Sequence, residues 1–164
     1  MIFLIILEGI DGTGKSTVCN YLSNLGYNIH HLKYDEKSEK GFLKFLEQDV
    51  SKLVLDRGFV TELVYGPILR NISKINLQQT MNIINEYSKV DCKIIYLKAL
   101  KLDLLQRRKG DLEDLQMLEK YYDMLDEKYD EVIEFLKKYF PILTINTSET
   151  NKDNTCKKIK KFLE

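Results

Sequence analysis

Six apolar residues in a row, 2–7, open the chain, and polarity returns abruptly at Glu8. An unbroken apolar run of that length predicts a strand buried on both faces, as in a parallel sheet. Residues 15–25 then change period. Val18, Tyr21, Leu22 and Leu25 fall on one helical face, and Gly26 is a natural stop. The same alternation continues. Strands are expected over 27–32, 52–55, 92–97 and 141–145. Helices are expected over 36–47, 61–70, 77–88, 100–108, 114–139 and 153–163. Short apolar strands separated by helices predict an α/β fold, a five-stranded parallel sheet with helices on both faces. The 164 residues suit a single domain, 1–164.

Composition narrows the class. Lys+Arg and Asp+Glu both total 25, so the formal net charge is zero and nothing marks an electrostatic nucleic-acid binder. The opening apolar run is too short to span a membrane, and no charged region precedes it. Three widely spaced cysteines, Cys19, Cys92 and Cys156, fit reduced thiols in the cytoplasm and form no zinc motif. Four of the basic residues are arginines: Arg57, Arg70, Arg107 and Arg108. Where lysine dominates, an arginine marks a position that needs a planar, bidentate donor.

The strongest chemical signal lies between the first strand and first helix. Gly9 to Ser16 reads GIDGTGKS and satisfies G-x-x-x-x-G-K-[ST] in full. Glycines let the backbone wrap a phosphate with its N–H groups inward, and the helix N-terminus adds partial positive charge. Lys15 is placed to reach β- and γ-phosphates, and the Ser16 hydroxyl to ligate Mg²⁺. Gly9, Asp11, Gly12, Thr13, Gly14, Lys15, Ser16 and Thr17 are thus the expected nucleotide-binding residues. The small size favours a kinase of a small acceptor over a motor. A GTPase guanine motif is absent, since Asn151-Lys152-Asp153 lacks the spacer.

Four stretches carry a family resemblance. LEGIDGTGKST resembles the opening of thymidylate kinases, which share a fold with deoxynucleoside kinases. In LVLDRGFVTELVY, residues 53–65, the elements Asp56-Arg57, Thr61 and Tyr65 fall at the spacing of that family's Asp-Arg, serine and tyrosine. LLQRRKGD resembles the arginine-bearing lid, here about 105–116. LEKYYDMLDEKYDEV resembles the tyrosine-rich helix after the lid, closer to the nucleoside kinase version. The resemblance implies the P-loop kinase fold, with ATP and Mg²⁺ as cofactors. It also implies a nucleotide or nucleoside as substrate, and a possible homodimer. Lys15, Arg57, Arg107 and Arg108 are the expected catalytic residues, with the lid supplying the catalytic arginine because the loop at 11–13 has none. Ser16 and Asp56 are the expected metal-side residues. Asp11, Asp35, Glu36, Phe42, Arg57, Thr61, Tyr65 and Arg70 are the expected acceptor-side residues.

The chain departs from thymidylate kinases at three points. Lys33-Tyr34-Asp35-Glu36 stands where they carry Arg-Glu-Pro-Gly-Gly. Gly66 follows the tyrosine in place of glutamine. Met124, Leu125 and Asp126 replace the post-lid arginines. Three readings stay open: a deoxynucleoside monophosphate kinase, a deoxynucleoside kinase, and a regulatory nucleotide-binding module. A nucleoside kinase must deprotonate a 5′-hydroxyl, and the candidate bases are Asp35 and Glu36, with Glu8 behind them. His30 and His31 lack a metal-ligand partner in the sequence and read as structural.

Overall fold

The computed structural model describes residues 3–164, so Ile2, the expected first residue of the opening strand, lies outside the described residues. Five parallel strands, β1 (Leu4–Glu8), β2 (Asn28–His31), β3 (Leu53–Asp56), β4 (Cys92–Lys98) and β5 (Ile142–Asn146), form one sheet in the order β2-β3-β1-β4-β5. β1 lies at the centre, and all five of its residues are buried, as its unbroken apolar run requires. The P-loop therefore leaves the middle of the carboxyl edge, where open α/β sheets bind ligands. The register aligns Leu7 with Asp56, and Asp56 with His31. The ends of three adjacent strands thus meet at one place.

Among the described residues, seven helices cover the sheet: α1 (Lys15–Asn24), α2 (Glu39–Lys44), α3 (Phe59–Arg70), α4 (Leu77–Tyr87), α5 (Lys101–Arg107), α6 (Leu112–Leu136) and α7 (Lys152–Leu163). Ile5 and Leu7 pack against Val18, Leu22 and Ile159 of α1 and α7 on one face. Leu4, Ile6 and Leu55 pack against Phe59, Ile83, Leu118 and Leu125 of α3, α4 and α6 on the other. That alternation is the two-residue period of a strand read onto two cores. Polar residues start most of the helices: Ser38, Asn76, Asp111 and Asn151 each accept an N–H of the first turn. α1 instead begins at Gly14 in the left-handed region (φ 104°) with no side-chain cap, leaving its N–H groups free for a ligand.

The expected helix over 36–47 is shorter than its apolar pattern suggests. α2 spans Glu39–Lys44 and is flanked by single 3₁₀ turns at Tyr34–Glu36 and Phe45–Glu47. Ser38 sets the start by capping Gly41 N. α6 begins at Leu112 and stops at Leu136, three residues before the expected end, because 137–140 turn back toward β5. All three cysteines are free. Among the described residues no helix is long and apolar enough to cross a membrane.

Candidate active site

A cavity of about 500 Å³ opens at the carboxyl edge of the sheet, around the loop between β1 and α1. Asp11 to Val18 form its floor, and Asp56, Arg57, Arg107, Arg108 and Thr147 form its walls. The loop depends on its glycines. Gly9, at φ 150°, packs so closely that a Cβ there would stand 2.4 Å from Leu97 O and 2.7 Å from Thr13 Oγ1. Gly12 takes φ 90°, a region that L side chains rarely enter.

Lys15 is buried and folds back over the loop, donating to Gly9 O at 2.7 Å and Ile10 O at 3.2 Å. Burial, reinforced by the charge of Arg57, lowers its pKa to about 8 against the pull of Asp11, Asp56 and Glu8. Asp11 gathers the cations. It accepts a hydrogen bond from Arg57 and lies 4.0 Å from both Lys15 Nζ and Arg108 Nη2. Burial alone would raise the Asp11 pKa, but the charges of Arg57 and Lys15 outweigh it and hold the carboxyl low.

Arg57 links β3 to α3 in the left-handed region, at φ 72°. A non-glycine residue there carries strain that the surroundings must hold. Arg57 N donates to Leu7 O at 2.9 Å, and its guanidinium lies over the Tyr65 ring, 5.2 Å from the centroid. The next residue is fixed by Glu8, the fully buried end of β1. Glu8 accepts from Gly58 N (2.7 Å), Thr61 N (3.2 Å), Thr61 Oγ1 (2.6 Å) and Tyr129 OH (3.1 Å). Glycine cannot cap α3 with its own side chain, and a carboxylate from a neighbouring strand does so instead. Burial raises the Glu8 pKa, partly opposed by those hydrogen bonds and by Arg57. Enclosed in this way, Glu8 offers no lone pair to a substrate.

Arg107 and Arg108, at the end of α5, do different things. Arg107 donates to Gly12 O and Thr147 Oγ1, both at 3.0 Å, and to Thr147 O at 3.2 Å, tying the P-loop to the turn after β5. Arg108 turns inward beside Asp11, and its Nε sits 3.0 Å from Asp114. Asp56 lies on the wall with Oδ2 beside His31 Nδ1 at 2.6 Å, while its Oδ1 is buried with no partner. An orphaned carboxylate oxygen in the cavity that also holds Ser16 fits a water-bridged divalent cation. No group of three or more His, Cys, Asp or Glu is placed to hold a metal among the described residues. A cation here would take its other ligands from phosphate and water.

The remaining acceptor-side expectations disperse. Phe42 is fully buried in the core, its ring edge-on to Phe59. Thr61 is buried against Glu8. Arg70 pairs with Glu62, whose Oε1 also accepts from Lys74 N at 2.7 Å, so the pair closes the turn after α3. Asp35 and Glu36 line a separate cavity with His30, Lys40 and Phe45. Glu36 is committed there to His30 Nε2 at 2.8 Å and Lys33 N at 2.7 Å. Tyr65 stays beside Arg57, with burial pushing its hydroxyl up to about 12. Thr150, Asn151, Lys152 and Thr155, which are not among the expected site residues, extend the cavity wall onto α7. The readable signal was a polar helix start directly after the last strand.

The sequence matches no family model and no curated protein. The fold does have relatives among solved structures. The YorR protein from Bacillus subtilis, solved in complex with phosphorylated GDP, is 25% identical at a TM-score of 0.79, covering 97% of this chain and 94% of that one. Deoxyadenosine kinase from M. mycoides with bound dCTP is 21% identical at a TM-score of 0.66, covering 97% of each chain. Thymidylate kinase from Candida albicans is 17% identical at a TM-score of 0.65, covering 99% and 90%. The chain has the α/β fold shared by thymidylate kinase, deoxyadenosine kinase and related P-loop kinases.

Proposed function

We propose that this chain is an ATP- and Mg²⁺-dependent phosphotransferase that moves the γ-phosphate onto the phosphate of a deoxynucleoside monophosphate, as thymidylate kinases do. The observation that carries the reading is the set of four cations, Lys15, Arg57, Arg107 and Arg108, on one cavity around an intact P-loop. Of the candidate bases, Glu8 is enclosed and Asp35 and Glu36 face another cavity, while Asp11 is held by Arg57. A phosphate acceptor is already ionised and needs positive charge rather than a base.

In this reading the N–H groups of 12–17 wrap the donor phosphates. Lys15 leaves the carbonyls of Gly9 and Ile10 to reach the β- and γ-oxygens. Arg57 holds the acceptor phosphate, stacked on Tyr65 and pre-set by its fixed backbone. Arg108 stabilises the charge that spreads over the transferring group. Ser16, and Asp56 through a bridging water, are the residues that would hold Mg²⁺, which would neutralise charge on the phosphate oxygens. Arg107 fixes the donor side by clamping Gly12 to Thr147.

A deoxynucleoside kinase is the second reading. What favours it is the post-lid helix, where Asp126 and Asp130 of α6 face Lys98 in place of arginines. A phosphoryl-transfer screen with ATP and Mg²⁺, against every deoxynucleoside and its monophosphate, separates the two. Under the first reading a monophosphate is the best acceptor, Arg57→Ala sharply weakens its binding, and Asp35→Asn and Glu36→Gln stay within about tenfold in kcat. A nucleoside as best acceptor, with most activity lost in either carboxamide variant, transfers the assignment to the second. Turnover in a folded Lys15→Ala protein close to that of the unaltered chain rules out both.

A further inference from the structure

His31 is the last residue of β2, and the register sets it opposite Asp56, the last residue of β3. Facing residues of parallel strands point to the same side of the sheet, so the two side chains meet above its carboxyl edge. His30, one residue earlier, points the other way and pairs with Glu36 against the edge of Phe45. The two histidines therefore belong to different surfaces. Packing does not explain His31: its side chain is 74% exposed, while that of Asp56 is 16% exposed. A mobile, hydrated imidazole is the ordinary state at such a position. Here one ring nitrogen is instead fixed 2.6 Å from Asp56 Oδ2.

The pairing breaks the symmetry of the carboxylate. Oδ2 is taken by the imidazole N–H, and Oδ1 is left buried without a partner on the wall of the phosphate cavity. Without His31 the carboxyl group could turn about its last bond and present either oxygen, or neither, to the cavity. We propose that His31 is a positioning residue, which fixes the Asp56 carboxyl by occupying Oδ2, so that Oδ1 is the one oxygen left uncommitted for the water shell of the divalent cation accompanying a nucleoside triphosphate. This rests on the reading of Asp56 as the metal-side carboxylate. Partners that orient a metal-side group in this way are typically worth 10- to 100-fold in metal affinity.

The test is the gain in ATP affinity on adding Mg²⁺, measured by calorimetry with the full chain in Mg²⁺ and in EDTA. Mn²⁺ binding to the protein–ATP complex, followed by electron paramagnetic resonance, gives the metal affinity directly. His31→Ala and His31→Phe, which keeps the ring without an N–H, should each weaken Mn²⁺ binding roughly tenfold. Both should leave the affinity for ATP in EDTA unchanged. His31→Asn, whose amide N–H can take the place of Nδ1, should recover most of the loss. Asp56→Asn monitors the underlying reading. If Asp56→Asn leaves Mn²⁺ binding intact, Asp56 is not on the metal side, and the proposal falls with that reading. If Asp56→Asn weakens Mn²⁺ binding but His31→Ala and His31→Phe do not, Asp56 keeps its role and the positioning role of His31 is overturned. An Asn variant no better than Ala also overturns it, because the N–H is then not what matters.

Discussion

Replacing Glu8 tests how Arg57 is held in place. Glu8→Leu keeps similar bulk but removes every acceptor that starts α3. Of the four donors it strands, Thr61 Oγ1 and Tyr129 OH are 3.5 Å apart and can satisfy each other. Gly58 N and Thr61 N have no such recourse. Each buried unpaired donor costs about 1–3 kcal/mol, so the pair costs about 2–6. No longer burying a carboxyl group returns part of that, and the expected net loss is about 2–4 kcal/mol. Glu8→Gln should behave differently. Its amide oxygen can take both backbone N–H groups, and its NH₂ can donate to the two hydroxyls, which accept as readily as they donate. About 1 kcal/mol of loss is expected. Urea unfolding followed by circular dichroism measures both. With a slope of about 2 kcal/mol/M, Glu8→Leu moves the midpoint down by about 1–2 M and Glu8→Gln by about 0.5 M. The gap between the unaltered chain and Glu8→Gln also depends on pH. The folded-state pKa of Glu8 is raised, so its stabilising contribution is complete below pH 4.5 and fades as pH climbs through the folded value. The unaltered chain thus compares best with Glu8→Gln in acid. The remote-cap argument is refuted if Glu8→Leu unfolds at the original midpoint, or if Gln is as damaging as Leu.

Three further outcomes are expected. With the Lys15 pKa near 8 in the free protein, ATP binding at pH 8 should take up about half a proton as phosphate restores the full charge. Affinity should then fall as pH rises above 8, and calorimetry in buffers of different ionisation enthalpy reads both effects. Gly9→Ala should lose at least about 2 kcal/mol in a thermal melt, because its Cβ meets a backbone oxygen of β4 that cannot yield. Arg108→Ala should lower kcat roughly 100-fold with little change in KM, while Arg107→Ala should act mainly on ATP binding. Steady-state kinetics that show both acting equally on kcat would remove that division of labour.

The sequence displayed the sheet and the phosphate loop openly because each rests on local rules. The run at 2–7 can hardly be anything but a central parallel strand, and GIDGTGKS carries its own conformational requirements in its glycines. The acceptor side was much less legible. Asp35, Glu36 and Arg70 were nominated by their place along the chain, but their partners, His30 and Glu62, are set by how loops close in space. Phe42 carries no mark that separates a stacking ring from a core ring; that depends on α4, whose Tyr87 donates to Phe42 O at 2.7 Å. Glu8 looked like a base waiting behind the loop because its four donors come from residues 50 to 121 positions away. The His31–Asp56 pair depends on register: the strands expected to end at 32 and 55 end instead at His31 and Asp56, and the pairing of β2 with β3 sets those two residues opposite each other.

Asp11 makes the resting site behave as an ion exchanger already loaded with its own counter-ion. One carboxylate from the loop sits among Lys15, Arg57 and Arg108, and its charge offsets part of the mutual repulsion that would otherwise push these cations apart. In the proposed reading, a phosphate that reaches Arg57 must evict a tethered anion that never diffuses away. Tethering gives Asp11 a standing advantage over small free anions at modest concentration. In that reading the site sets a charge threshold before any base or sugar is inspected, favouring ligands that bring several phosphate charges or further contacts of their own.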